Sequence, residues 1–282
     1  MRYILYFQIL LFSGCSILTT SKESINNVEE IQRVQTFIPV DVKGGLIEME
    51  KKDFSSYITP EMVLIQKGSF IMGESNVQNG KPPHKVTIDY EFFIGKKEIT
   101  FEEYDKFVKD TKRISPKDEG WGRKKRPVIN ISYFDAKAYL DWLSEKSGDI
   151  YRLPTESEWE YASKSGSDNR FFFGDSIKDI QHYSWFWKNS VDGSHPVGEK
   201  LPNSWNMYDI SGNVWEWCED WYINDLSVTP RNGRGYSVST GERVVKGGSW
   251  NDYPTNLRHS NRIGFSPTIK MNDTGFRAVM EY

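Results

Sequence analysis

The chain has 282 residues, with 36 Lys and Arg against 39 Asp and Glu, so its formal net charge is −3. Charged residues make up 27% of the chain, which excludes a protein with many membrane spans. The mild acidity gives no general attraction for nucleic acid, so we expect no nucleic-acid partner. Aromatic residues reach 15%, which predicts a core or a binding surface rich in flat, rigid rings.

The N-terminus has the proportions of a secretion signal. One early arginine precedes an apolar run of about a dozen residues, too short to cross a bilayer of roughly 30 Å. Residues Leu11 to Cys15 resemble the lipobox of bacterial lipoproteins, with Phe12 where leucine is usual. The resemblance implies a signal peptide at 1–14, cleaved before a lipidated Cys15. An ordinary secretion signal with an incidental Cys15 is the alternative.

Residues 15–57 are mostly polar and charged, apart from a candidate strand at Thr36–Val42. We interpret them as a lipidated tether, which at about 40 residues would span roughly 35 Å. The folded domain is expected at 58–282. If Cys15 carries lipid, Cys218 has no partner for an intramolecular disulfide.

Two strand patterns open the domain. The apolar runs Met62–Ile65 and Ser69–Met72, separated by Lys67 and Gly68, predict a hairpin. Polar and apolar residues alternate from Lys85 to Tyr90, which predicts a further strand.

Three helices are predicted from their N-caps Thr100, Ser132 and Thr155. A glutamate follows the first and the third cap three residues later, which is the capping-box pattern. Gly148 and Gly166 are expected to end the second and third helices. The side chains expected to face inward are Tyr104, Phe107, Val108, Ala136, Tyr139, Leu140, Leu143, Trp159 and Ala162.

After residue 166 the helical signal stops, and Gly, Asn, Ser, Asp and Trp dominate to the C-terminus. No repeat with a period of 20–50 residues is visible. The sequence therefore predicts a single, loop-rich α+β domain.

A series of motifs resembles the formylglycine-generating-enzyme-like, or sulfatase-modifying factor, domains. They occur in order from about residue 60 to the end: Met62–Gly73, Pro83–Val86, Glu98–Tyr104, Arg152–Ala162, Asn206–Asp209, Gly212–Trp217, Gly247–Trp250 and Gly275–Arg277. The resemblance implies a C-type lectin fold elaborated as in that family. From the residues themselves, we expect positive φ angles or a close strand approach at Gly247 and Gly248, and a buried Arg277 paired with Glu156 or Glu158.

Catalysis as in the enzymes of that family is not expected. The resemblance implies that two cysteines just after the Gly-Gly-Ser-aromatic motif oxidise a substrate cysteine and bind copper. The corresponding positions fall near Asp252 and Leu257, and neither side chain replaces a thiolate. Cys218 lies in a different motif. The iron-dependent branch of the family needs histidines in an added helical domain, whereas the four histidines here form no i, i+4 pair.

Asn213 and Glu216 are candidate calcium ligands, since family members bind Ca²⁺ beside this motif and oxygen ligands suit that ion. The alternative is that both side chains only hydrogen-bond the loops. No other cofactor is expected.

The segment 251–274 resembles the variable region of lectin-fold proteins diversified by bacterial diversity-generating retroelements. It contains several asparagines and no Glu, Gln, Trp or Ala. In those systems template adenines are replaced, so an AAC codon becomes any codon ending in C. Lys270 and Met271 do not follow that rule. An ordinary polar loop is the alternative. The predicted ligand-binding residues are Asn251, Asp252, Tyr253, Thr255, Asn256, His259, Ile263, Gly264, Phe265, Ser266, Thr268, Ile269, Asn272 and Asp273, and the expected framework residues among them are Leu257, Arg258, Asn261 and Arg262.

These features predict a non-catalytic lipoprotein of the bacterial cell envelope, anchored by lipid at the outer surface. We expect a monomer that binds an extracellular protein or glycan through 251–274, with Tyr, His and Phe for contact area and Asn, Ser and Thr for adaptable hydrogen bonds. Two alternatives stay open: a structural envelope lipoprotein, and a degenerate oxidase that works without the cysteine pair.

Overall fold

A computed structural model describes residues 59–77, 79–191 and 193–282, which belong to one compact unit of the chain. The expected signal peptide, Cys15, the tether and the candidate strand at Thr36–Val42 lie outside the described residues. The expected domain start at residue 58 is at the edge of this region, and the first strand begins at Met62.

The described residues form a mixed helix and sheet structure with long irregular segments, as expected. The strands are β1 Met62–Ile65, β2 Gly68–Met72, β3 His84–Ile88, β4 Phe92–Gly95, β5 Tyr151–Arg152, β6 Trp215–Trp221, β7 Arg243–Lys246, β8 Arg262–Phe265, β9 Thr274–Gly275 and β10 Val279–Glu281. One four-stranded sheet has the order β1-β4-β10-β5, and a second has the order β8-β7-β6-β9. Strands β2 and β3 form a separate pair.

The expected hairpin between Met62–Ile65 and Ser69–Met72 is wrong. Strand β1 pairs antiparallel with β4, with Met62 opposite Gly95, and β2 pairs antiparallel with β3. Both strands exist as predicted, but each takes its partner from further along the chain. The reason is that an apolar run indicates that a strand is buried but does not indicate which strand it pairs with. The alternation in β3 is confirmed, with Val86 and Ile88 buried and Lys85 and Thr87 exposed.

The helices are α1 Phe101–Thr111, α2 Tyr133–Ser147 and α3 Glu156–Lys164. All three predicted N-caps are confirmed, and each closes a reciprocal capping box, with Glu103, Asp135 and Glu158 as the respective partners. Gly148 caps α2 in the left-handed region. Helix α3 ends one residue earlier than expected, because Ser165 already has a φ of 45°.

Two aromatic-rich core clusters hold the domain together. One packs α1 and α2 against the sheet that contains β6, around Tyr139, Trp217 and Phe276. The other packs α3 against β2, β3 and β4, around Trp159. The inward-facing helix residues expected from the sequence are buried, except Val108, which is half-buried.

Candidate functional site

The segment after β7 begins with a turn whose backbone conformation favours glycine. Gly247 and Gly248 have φ angles of 95° and 73°, which confirms the expectation of positive φ at both. A Cβ on Gly248 would lie 3.0 Å from both the carbonyl oxygen of Asn256 and Cδ1 of Leu257. The turn therefore brings 247–250 directly against the 3₁₀ helix Pro254–Leu257.

Helix α3 fixes the strands on both sides of this turn. Its buried Glu156 accepts two hydrogen bonds from Arg262 at the start of β8, of 2.6 Å to Nε and 2.8 Å to Nη2. Its buried Glu160 accepts from Lys246 at the end of β7, over 3.0 Å. Paired charges in the interior are strongly destabilising to break, because the remaining charge is left without a partner. The segment between β7 and β8 is thus attached at both ends to one helix.

Arg277 is buried, as expected, but its predicted partners are wrong. The guanidinium donates to both oxygens of Glu216, at 2.6 Å each, rather than to Glu156 or Glu158. Glu158 is paired with Arg152 instead. The carboxylates of the helix-entry motif at 152–160 pair with Arg152, Lys246 and Arg262, and Arg277 is neutralised by Glu216 of β6.

Asn213 and Glu216 make the contacts of the structural alternative to calcium binding. The Asn213 amide donates to Oε2 of Glu98 over 2.6 Å and accepts from the backbone N–H of His195 over 2.8 Å. Both Glu216 oxygens bind Arg277, and Oε2 also accepts from Trp159. Across the described residues, no group of three or more His, Cys, Asp and Glu side chains is arranged to hold a metal ion.

Burial raises the pKa of two carboxyl groups near this motif. The pKa of Glu98 is well above its usual value, because the group is buried and lies near the carboxylates of Asp209 and Glu216. Burial raises the pKa of Asp209 to about 6, against the opposing effect of a hydrogen bond from the backbone of Gly198. Burial therefore disfavours the charged carboxylate form of both groups, which is the form that binds a cation.

The predicted ligand-binding residues divide by exposure. Those exposed to solvent are Asn251, Tyr253, Thr255, Ser266, Thr268, Ile269 and Asn272, and those half-buried are Asp252, Asn256, Ile263, Gly264, Phe265 and Asp273. His259 is 1% exposed, and its Nδ1 makes a hydrogen bond with the buried Ser163 hydroxyl. The prediction that His259 contacts a ligand at the surface is therefore wrong, because its ring is part of the interior.

Three of the half-buried residues pack against the core rather than face outward. Ile263 and Phe265 contact the first core cluster, and the Phe265 ring lies 6.2 Å from that of Trp217, centroid to centroid. A Cβ on Gly264 would meet the Tyr222 ring at 2.6 Å. Strand β8 therefore supplies frame rather than exchangeable contacts. Of the expected framework residues, Leu257, Asn261 and Arg262 are buried and Arg258 is half-buried.

Asp252 and Asn256 hold the turn in place. Oδ2 of Asp252 accepts from both the backbone N–H and the hydroxyl of Ser249, at 3.0 and 2.7 Å. Its Oδ1 accepts from the Asn256 amide over 2.6 Å. These side chains are occupied within the segment, so the groups left to meet a ligand are their neighbours Asn251, Tyr253 and Thr255.

An exposed aromatic pair lies beside these neighbours. The rings of Trp187 and Tyr253 are 5.0 Å apart, and the two residues are 48% and 62% exposed. The backbone N–H of Trp187 donates to the carbonyl of Asp252, which fixes the two loops together. Trp187 was not predicted as a site residue. The signal available in the sequence was a tryptophan-rich stretch in a loop, and nothing local to it indicates contact with residue 253.

The exposed residues do not form one patch. Asn272 is next to the turn, because Nε1 of Trp250 donates to its carbonyl over 3.3 Å. Ser266, Thr268 and Ile269 follow the opposite end of β8, where Phe265 pairs with Arg243. We call the first group, Trp187, Asn251, Tyr253, Thr255 and Asn272, the turn surface.

A groove of about 640 Å³ opens beside the turn surface. One wall comes from the 3₁₀ helix Pro254–Leu257 and the other from residues 170–178. Its lining residues are Arg170, Phe171, Asp175, Ser176, Ile177, Lys178, Tyr253, Pro254, Thr255 and Arg258.

The positions corresponding to the family's cysteine pair have structural roles. Asp252 holds the turn, and Leu257 is buried among Phe171, Ile180 and Phe186. Cys218 is fully buried in β6, and burial raises the pKa of its thiol well above the usual value. A thiol that stays protonated is neither a nucleophile nor a ligand for a soft metal.

No helix among the described residues is long and apolar enough to cross a membrane.

Comparison with known proteins agrees with this architecture. Residues 48–282 match the model of the sulfatase-modifying factor enzyme 1-like domain. Formylglycine-generating enzyme of Mus musculus is 33% identical over 57% of this chain and 45% of its own. The chain spans about half the length of the curated relatives Serine/threonine-protein kinase pkn1 of Chlamydia pneumoniae and formylglycine-generating enzyme of Mus musculus.

Two solved structures share the fold over most of the domain. PvdO from Pseudomonas aeruginosa has a TM-score of 0.75 and 28% identity, covering 79% of this chain and 95% of its own. Treponema denticola variable protein 1 has a TM-score of 0.71 and 26% identity, covering 78% and 95%. The relatives thus include both an enzyme and a variable protein. This chain belongs to the sulfatase-modifying factor enzyme 1-like family and has the C-type lectin fold that its motifs imply.

Proposed function

We propose that this protein is a non-catalytic binding protein of the bacterial envelope that holds an extracellular protein or glycan on its turn surface. The observation that carries the proposal is the contrast within 251–274. The side chains of Asn251, Thr255 and Asn272 are exposed and make no hydrogen bonds within the described residues, whereas Leu257, Asn261 and Arg262 between them are buried. Exposed side chains are free to contact a partner, and buried ones keep the backbone in place.

The sequence supports a non-catalytic role. It contains two cysteines, Cys15 and Cys218, so no pair of thiols follows the Gly-Gly-Ser-Trp motif. Asp252 hydrogen-bonds within the turn, Leu257 packs in the core, and the thiol of Cys218 is buried. Copper-dependent cysteine oxidation, which the family resemblance implies for its enzymes, would need a soft thiolate site that these residues do not supply.

The likeness to a variable protein supports exchange of the displayed side chains. Surface substitutions usually change the free energy of unfolding by about 0.5 kcal/mol or less, so the turn surface tolerates many side chains. Lipidation at Cys15 and a tether at 15–57 would place this surface outside the cell. The lipobox-like residues support that location, and the domain at 58–282 would then be displayed away from the membrane.

The experiment is a comparison of the gene with its nearest near-identical repeat, and of the gene among isolates. We expect differences at the codons of Asn251, Tyr253, Thr255 and Asn272, each matching an adenine in the repeat. The codons of Leu257, Asn261 and Arg262 should be unchanged. Differences spread evenly over buried and exposed codons, or an absence of any adenine bias, would contradict the proposal.

A further inference from the structure

The groove beside the turn surface has a size suited to a small ligand. Its volume of about 640 Å³ lies within the roughly 300–1,000 Å³ range of small-molecule sites. A protein partner of ordinary affinity would instead cover about 800 Å² of surface. The groove therefore fits one or a few sugar-sized units better than a protein epitope.

Positive charge is in excess along the groove. Arg170 and Arg258 both approach the same oxygen of Glu74, with N–O distances of 3.7 and 3.5 Å. Lys178 makes no ion pair with any described residue. Together with Asp175, two carboxylates face three cationic side chains, so one positive charge is unbalanced in a chain whose net charge is −3.

Arg258 also has an unused donor. Its side chain is 18% exposed, and its Nε is buried with no hydrogen-bond partner in the described part of the chain. Because Nε itself is closed to solvent, a bound anion would meet the exposed part of this side chain, which lines the groove. The guanidinium geometry suits a carboxylate or a sulfate, which both present oxygens in a matching fork.

The rim of the groove suits a sugar ring. Tyr253 and its neighbour Trp187 present exposed aromatic surface, on which the apolar C–H face of a pyranose packs. Thr255 and Ser176 add hydroxyl groups that can donate to or accept from sugar hydroxyls.

We propose that this groove binds an acidic sugar, with Arg258 and Lys178 holding its carboxylate or sulfate and Tyr253 packing against its ring. The inference rests on the proposed binding function and names the ligand class that the groove accepts.

The test is calorimetric titration of the full-length protein with four probes. A hyaluronan tetrasaccharide carries only carboxylates, and a chondroitin 4-sulfate tetrasaccharide adds sulfates. A neutral chitotetraose and an octaglutamate peptide are the controls for charge and for the sugar ring. We expect at least one acidic tetrasaccharide to bind, more weakly at higher salt, and the neutral sugar not to bind. The two acidic sugars distinguish a carboxylate from a sulfate.

Variants locate the binding. Lys178→Gln is expected to weaken the acidic sugar about tenfold, and Arg258→Gln at least as much, since each removes a charge-assisted contact. Lys106→Gln, an exposed lysine of α1, is the matched control and should leave affinity unchanged. Because Arg258 also contacts Glu74, the exposed Lys178 keeps the test valid if the Arg258 variant does not fold.

Four results would overturn the inference: no binding of either acidic sugar, equal binding of the neutral sugar, tighter binding of octaglutamate, or an affinity unaffected by Lys178→Gln. None of them alters the comparison of gene and repeat, so failure of the ligand class and failure of the proposed function are distinguishable.

Discussion

Arg277 and Glu216 are both fully buried, and each is the main neutralising partner of the other. Arg277→Ala would leave the Glu216 carboxylate charged in the interior, and it would also remove donors from the carbonyls of Gly95 and Tyr208. We expect the free energy of unfolding to fall by about 3–5 kcal/mol, measured by urea denaturation.

The matched control for this variant is Glu61→Ala. Glu61 forms an ion pair with Lys97 over 3.5 Å, but its side chain is 66% exposed, so water screens the interaction. The expected loss is about 1 kcal/mol or less. Equal losses for the two variants would show that Arg277 is not the neutralising partner of a buried charge.

Asp209 predicts a specific pH dependence of stability. Its pKa is about 6 in the folded protein, because burial disfavours the charged carboxylate, and about 3.9 when unfolded. A group whose folded pKa is raised stabilises the fold fully below the unfolded pKa, and that contribution is lost as the pH rises through the folded pKa. The window is therefore pH 4–6.

Asp209→Asn removes this titration and keeps an acceptor for the backbone N–H of Gly198. The natural protein loses this contribution as the pH rises, and the variant does not. We therefore expect the difference in free energy of unfolding, variant minus natural protein, to increase by on the order of 1–3 kcal/mol from pH 4 to pH 8. Denaturation curves at both pH values measure it. A difference between the two proteins that does not change with pH would show that Asp209 titrates normally.

At the scale of single elements, strand β8 packs against the core, whereas Ser266 directly after it is exposed. An added Cβ on Gly264 would lie 2.6 Å from both the Tyr222 ring and Oε2 of Glu242, so Gly264→Ala is expected to cost about 1–3 kcal/mol. Ser266→Ala, two residues later on an exposed position, should change stability by less than about 0.5 kcal/mol. Thermal unfolding of the two variants is the measurement, and a neutral Gly264→Ala would place residue 264 among the exchangeable positions.

Some features of the secondary structure and its pairing were predictable from the sequence, and others were not. Helix starts at Thr100, Ser132 and Thr155 were predictable, because a capping box is written within four consecutive residues. The partners of β1 and of Arg277 were not, since they depend on residues more than twenty-five positions away. The local sequence pattern indicates that a strand or a charged side chain is buried, but it does not identify the strand or the side chain that pairs with it.

The same limit applies at the site. Tyr253 was predicted and is exposed, but alternation along the chain did not separate it from His259, whose burial depends on contact with Ser163 of α3. Trp187 was missed because it joins the turn surface through a distant loop. The flanking glycine motifs predicted where the segment begins and ends. Which of its side chains face the solvent depends on the fold and was not predictable from the sequence.

For the whole molecule, α3 and the two sheets form a rigid frame, and we propose that the exposed side chains on it are exchangeable. The frame positions are the buried Leu257, His259, Asn261 and Arg262, which lie along the chain between the displayed residues Thr255 and Asn272. Stability should therefore depend on which face of the same segment is altered, and not on how many residues are changed.

The most direct test replaces Asn251, Tyr253, Thr255 and Asn272 together by serine and compares the free energy of unfolding with that of the natural protein. We predict a total change below about 2 kcal/mol, since each position is exposed. The matched variant with serine at Leu257, His259, Asn261 and Arg262 should fail to fold or lose most of its stability. Similar losses of stability in the two variants would contradict the distinction between buried frame residues and exposed displayed residues.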